Sequence, residues 1–76
     1  MNNNRRKKLN GIVKSLEDAQ ELLEELRDEE QEYLDNMPEN LCDSDKHSIG
    51  EEAVENMESA IDSLSEAIDY VDTASQ

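Results

Sequence analysis

The chain reads as an all-α protein: an antiparallel two-helix hairpin with heptad packing that dimerises into a four-helix bundle. Three observations predict this. Apolar residues follow a heptad from Leu9 onward, the only proline, Pro38, stands near the middle, and a second heptad runs three times between Ala53 and Val71. The 76 residues form one domain, 1–76, small enough that a single core supplies only a few kcal/mol. With 34% apolar residues and a net charge of −14, composition alone sits near the disordered class, and the periodicity argues against that reading.

The first helix is expected over about 4–36. Leu9, Leu16, Leu23 and Met37 fall on one seam position, and Ile12, Ala19, Leu26 and Tyr33 on the other. Val13, Leu22 and Leu34 widen the stripe, which suits contact with more than one neighbouring helix. Glu30 is the polar occupant of the seam: either a buried register-setting residue or a place where the seam splays open. The residue before Pro38 is pushed out of the α region, so the helix should stop near Met37.

A connector over 37–47 follows, in which Pro38–Leu41 suggests one helical turn with Leu41 tucked into the bundle end. The second helix is expected over about 48–74, with Ser48 and Glu51 as a capping box, although its start is open back to Asp43. Val54, Ile61 and Ile68 form one seam column, and Met57, Leu64 and Val71 the other. Ala53, Ala60, Ala67 and Ala74 make a column of small residues that admits a close neighbour. The core and oligomer seam is thus expected to use Leu16, Leu23, Leu26, Tyr33, Met57, Ile61, Leu64, Ile68 and Val71. A lone hairpin leaves one side of each stripe wet, which argues for a homodimer; a third layer built by the connector is the alternative.

Charge is segregated. All 21 acidic residues lie at or after Glu17, and five of the seven basic residues lie before it, so residues 1–16 carry +5 and the rest −19. Antiparallel folding should bring Arg5–Lys8 and Lys14 beside Asp62, Asp69 and Asp72, relieving that end. The loop end has no such relief, and acids at the end of the first helix oppose its dipole. An acidic tip of Glu25, Asp28, Glu29, Glu32, Asp35, Glu51, Glu52, Glu55 and Glu58 is the candidate partner-binding surface. Nineteen charges on a rod roughly 40–45 Å long amount to about one per 2.3 Å, against about one per 1.7 Å for duplex DNA. Such a surface can compete for a protein's nucleic-acid groove; the plainer reading is that it only keeps the rod in solution.

Other chemistries find little support. Cys42, the one cysteine, excludes an internal disulfide framework, and its acidic surroundings disfavour a reactive thiolate. Asp43, Asp45 and His47 invite a metal reading, but an EF-hand starting at Asp43 needs Gly and Glu where Ser48 and Val54 stand. Cys42 and His47 supply at most two zinc ligands, and no Glu-x-x-His pair builds a di-iron site. There is no phosphate loop, nucleophilic triad or pocket for a tuned carboxylate pair, so neither a catalytic residue nor a cofactor is expected. Arg5–Lys8 lacks interleaved aromatics, and direct nucleic-acid binding is not expected. No contiguous apolar run follows the basic start, which points to a cytoplasmic protein without a membrane span.

The stretch Glu29-Glu-Gln-Glu-Tyr-Leu-Asp-Asn-Met-Pro-Glu-Asn-Leu41, with the Ala-[Ile/Val]-[Asp/Glu] heptads after it, resembles small acidic helical proteins of phages and mobile elements of Gram-positive bacteria. In size and charge the chain is similar to anti-defence inhibitors that mimic DNA. The resemblance implies an accessory phage-type product whose partner is a basic, nucleic-acid-binding host protein such as a CRISPR or restriction effector. It carries over no functional residue. A structural adaptor that oligomerises through its apolar seams is the competing expectation.

Overall fold

The structure, a computed structural model, describes residues 1–41 and 44–76 apart from the side chain of Leu41. It is all-helical among these residues: α1 spans Asn3–Asp35, a 3-10 turn spans Glu39–Leu41, and α2 spans Asp45–Ala74. The two long helices pack antiparallel into a rod of 60 × 14 × 12 Å. The expected tuck of Leu41, and the readings placed on Cys42 and Asp43, lie outside the described residues.

Local chemistry sets the helix ends. Asn2 caps α1, its Oδ1 accepting the Arg5 N–H at 2.8 Å. At the other end the Asn36 N–H reaches the Glu32 carbonyl (3.1 Å) and the Met37 N–H the Leu34 carbonyl (3.2 Å), and Pro38 then forbids continuation. The N-cap of α2 is Ser44, whose Oγ accepts the His47 N–H at 3.2 Å, rather than Ser48. Ser48 instead donates its N–H to the Ser44 carbonyl (3.1 Å) and lies inside the first turns. The earlier start adds nearly a full turn and brings His47, half-buried, into the helix beside α1.

Gly50 explains why a poor helix former sits there. A Cβ on it would stand 2.6 Å from Leu34 Cδ2 and 2.8 Å from Glu30 Oε1. The helices therefore approach each other through bare backbone, and the seam does not splay at Glu30. Leu34 and Val54, 4% and 6% exposed, are the two most buried apolar side chains, with Ile61 third.

That contact also fixes the rotation of α1. With Leu34 facing α2, the inward columns are Leu9, Leu16, Leu23, Glu30 and Met37 together with Val13, Gln20, Arg27 and Leu34. The expected second column is turned aside: Ile12, Ala19, Leu26 and Tyr33 are all exposed, because they lie about 100° from the Val13–Leu34 column and beyond the Leu9–Met37 column that borders it. On α2 both expected columns do face inward, and Ala53, Ala60 and Ala67 lie half-buried at their edge, while Ala74 is exposed. Gln20 pins the register from within the seam. Its Nε2 donates to the Ile61 carbonyl (3.0 Å) and lies 2.6 Å from Ser65 Oγ.

The expected pairing of the basic arm with Asp62, Asp69 and Asp72 is not formed. Arg6 instead donates to the main-chain oxygen of Gln76 (3.3 and 3.4 Å), and Lys14 pairs along its own helix with Asp18 (2.7 Å). The Asp18 carboxylate holds the Lys14 ammonium above its ordinary range, but the pair is exposed and selects little.

Two glycines should therefore respond in opposite directions. Nothing lies within 4 Å of a Cβ built on Gly11. Gly11→Ala should raise stability by roughly 1 kcal/mol through helix propensity. Gly50→Leu should lower it by about 1–3 kcal/mol through overpacking against Leu34. Thermal unfolding followed by circular dichroism checks both. Gln20→Ala should cost about 1 kcal/mol by the same measurement, since it removes a half-buried interhelical bond.

Candidate functional site

Antiparallel packing divides the rod into two flanks of opposite character. On one, Glu17, Glu24, Asp28 and Asp35 of α1 share a side with Glu51, Glu55, Glu58, Asp62 and Asp69 of α2, as the helical turn of about 100° per residue requires. On the other, the displaced apolar column of α1 runs beside the alanines of α2.

The acidic flank is best defined near the loop. Asp35, Glu51, Glu55 and Glu58 line a groove of about 320 Å³ with Gln31 and His47, and Leu34 and Val54 form its floor. Gln31 donates from Nε2 to Asp35 Oδ1 at 3.0 Å, holding that carboxylate at the rim. His47 Nδ1 lies 2.6 Å from Glu51 Oε1 and is shielded from solvent. This contact is a charge pair when the imidazole is protonated, not a well-aligned hydrogen bond. α1 has no basic residue in its last turn, so the negative end of its dipole adds to the field at the loop end.

The second groove, about 540 Å³, opens on the apolar flank, with Tyr33, Met37 and Pro38 as its apolar lining and Glu29 and Glu32 at its edge. The Lys46 ammonium sits 5.6 Å from the Tyr33 ring centroid, closing one side of it. Tyr33, and more weakly Glu30, raise Lys46 above the ordinary lysine range.

All nine acids expected at the tip are exposed, but they do not form one surface. Asp35, Glu51, Glu55 and Glu58 share the acidic groove, whereas Glu29 and Glu32 border the apolar one. Glu25, Asp28 and Glu52 line neither, and Asp28 is engaged by Arg27 at 3.0 Å. The expected seam residues divide as well. Leu16, Leu23, Met57, Ile61, Leu64, Ile68 and Val71 face the helix interface, and Leu26 and Tyr33 point away from it. His47, Gln31 and Lys46 were not anticipated as neighbours of these acids. The i,i+4 spacing of His47 and Glu51 was the available signal, once α2 is known to begin at Asp45.

Chemically, the acidic flank is a fixed array of carboxylate acceptors suited to ammonium and guanidinium groups. Among the described residues no three His, Cys, Asp or Glu side chains converge as a metal-ligand set, and no helix is long and apolar enough to cross a membrane.

Like charge packed this closely should oppose folding. Raising salt, which shortens the screening length from about 10 Å at 0.1 M to about 3 Å at 1 M, should raise the melting temperature. The combined variant D35N/E55Q/E58Q should melt higher than the parent at low salt and show a smaller salt dependence.

Compared with known proteins, the chain matches no family model, no curated protein and no solved structure.

Proposed function

We propose that this chain is a non-enzymatic interaction protein of phage type. Its acidic flank occupies the nucleic-acid site of a basic host protein in the bacterial cytoplasm, such as a CRISPR or restriction effector. The observation that carries the reading is the acidic groove. Carboxylates from two helices, Asp35 on α1 and Glu51, Glu55 and Glu58 on α2, stand along one face, and among the described residues no lysine or arginine lines it. A surface whose purpose is solubility interleaves both signs along its helices. This one sacrifices local stability to keep one sign.

Charge density bears on the form that acts. Fourteen net charges over 60 Å is about one per 4.3 Å, less than half the density of a DNA duplex at about one per 1.7 Å. Two copies side by side reach about one per 2.1 Å. We therefore include in the proposal the homodimeric four-helix bundle, with acidic flanks outward. It does not itself bind nucleic acid.

The alternative is a structural adaptor in which the charge is passive. The exposed apolar column of α1 favours it, since that column offers a contact surface with no acids in it. Reversal of the groove acids separates the two readings. The variant D35K/E51K/E55K/E58K should retain its helical signal yet lose capture of the host partner. Capture by the parent chain should be displaced by duplex DNA and by high salt. Undiminished capture by the reversed variant would exclude mimicry and leave the adaptor.

A further inference from the structure

Ile12, Leu22, Leu26 and Tyr33 are 43–55% exposed and, with Ala19, fall within an arc of about 80° on α1. We infer that this flank docks on a second copy of the chain, antiparallel, about a two-fold axis that passes between Leu22 and Leu23 and through Ala60. The inference rests on the four-helix dimer proposed above and names its geometry.

The spacing of the stripe is nearly the same read in either direction. Ile12 and Tyr33 are equally distant from the midpoint between Leu22 and Leu23, and so are Ala19 and Leu26. Antiparallel docking therefore sets each Ile12 opposite the partner's Tyr33, where the groove between Tyr33, Met37 and Pro38 can receive it. Ala19 falls opposite the partner's Leu26, pairing a small residue with a large one.

The alanine column of α2 has its own centre. Ala53 and Ala67 are symmetric about Ala60, so the same operation sets Ala60 against itself and Ala53 against the partner's Ala67. One axis can serve both helices only if the two centres lie level, and the antiparallel hairpin, with helices of 33 and 30 residues, sets them so. Gln20 bonds to Ile61 and Ser65, Arg6 to Gln76, and Gly50 rests on Leu34, a register that places Ala60 level with the Leu22–Leu23 midpoint.

Charge decides the direction. A parallel pair brings two loop ends together, inside the segments that carry −19 each, and two basic arms together at the other end. The antiparallel pair lays Arg5–Lys8 of one copy opposite residues 37–40 of the other, at its acidic loop end beside Glu39 and just past Glu32. The face is about 30 Å long and two helices, about 20 Å, wide. It therefore offers about 600 Å² per copy, the low end of a stable interface. A hairpin whose buried apolar side chains, among the described residues, are Leu34, Val54 and Ile61 has need of that burial.

Cysteine cross-linking tests it on the full chain. In a Cys42→Ser background, Ala60→Cys should oxidise to a covalent dimer, because a disulfide needs Cα atoms within about 7 Å and the axis brings these two together. Asp62→Cys, on the acidic flank, should not. Sedimentation equilibrium of the reduced, unsubstituted protein should give twice the monomer mass. A monomer mass at tens of micromolar would overturn the dimer and its geometry together. A dimer mass without the Ala60→Cys cross-link, or with an equal Asp62→Cys cross-link, would overturn the geometry alone.

Discussion

The contact of Gly50 with Leu34 and Glu30 is the constraint on which the rest of the molecule depends. It brings the backbone of α2 against the side chains of α1 at the loop end, where like charge would otherwise push the helices apart. Once Leu34 faces inward, the rotation of α1 is decided along its whole length. Val13, Gln20 and Arg27 follow Leu34 into the interface, and Ile12, Ala19, Leu26 and Tyr33 are left on the outside. One glycine thus determines which apolar column becomes core and which becomes surface.

The energetic consequence is a thin interior. A two-helix hairpin offers a single interface, and here that interface admits a glutamine, an arginine and a glutamate among its inward positions. The Gln20 bonds to α2 make the polar content useful for register, since sliding by one turn would strand a half-buried amide. Polar seam residues specify the alignment of two helices without adding much stability. The displaced apolar column and the alanines beside it supply a second face on which the missing burial can be found.

Much of this architecture was legible in the residues. The three copies of Ala-[Ile/Val]-[Asp/Glu] in α2 repeat every seven residues without conflict, and both of their columns face α1 as read. The break at Pro38 was equally plain, and the turn suggested after it is present as the 3-10 turn Glu39–Leu41. The phase of α1 was not. Its more apolar column, Ile12, Ala19, Leu26 and Tyr33, is the natural choice from hydrophobicity alone. The column that wins contains Gln20 and Arg27 and is selected by a tertiary contact. The two serines before α2 posed a similar problem. Ser48 with Glu51 satisfies the capping pattern, yet Ser44 is used, and the longer helix adds His47 beside the Leu34–Val54 contact. The acids were correctly assigned to the surface, but their division between two flanks follows from the rotation of α1, which no local pattern records.

The proposed dimer pairs two hairpins, each with one acidic and one apolar flank, antiparallel so that the acidic flanks face outward. The most direct measurement is a pulsed electron-resonance distance between single spin labels at the loop end, carried by Asn40→Cys in a Cys42→Ser background. An antiparallel pair separates the two labels by most of the 60 Å rod, so a distance of about 50–60 Å is expected. A distance below about 25 Å would mean that the acidic ends lie together, and the absence of any dipolar coupling would mean that the chain acts alone. Either result would contradict the account.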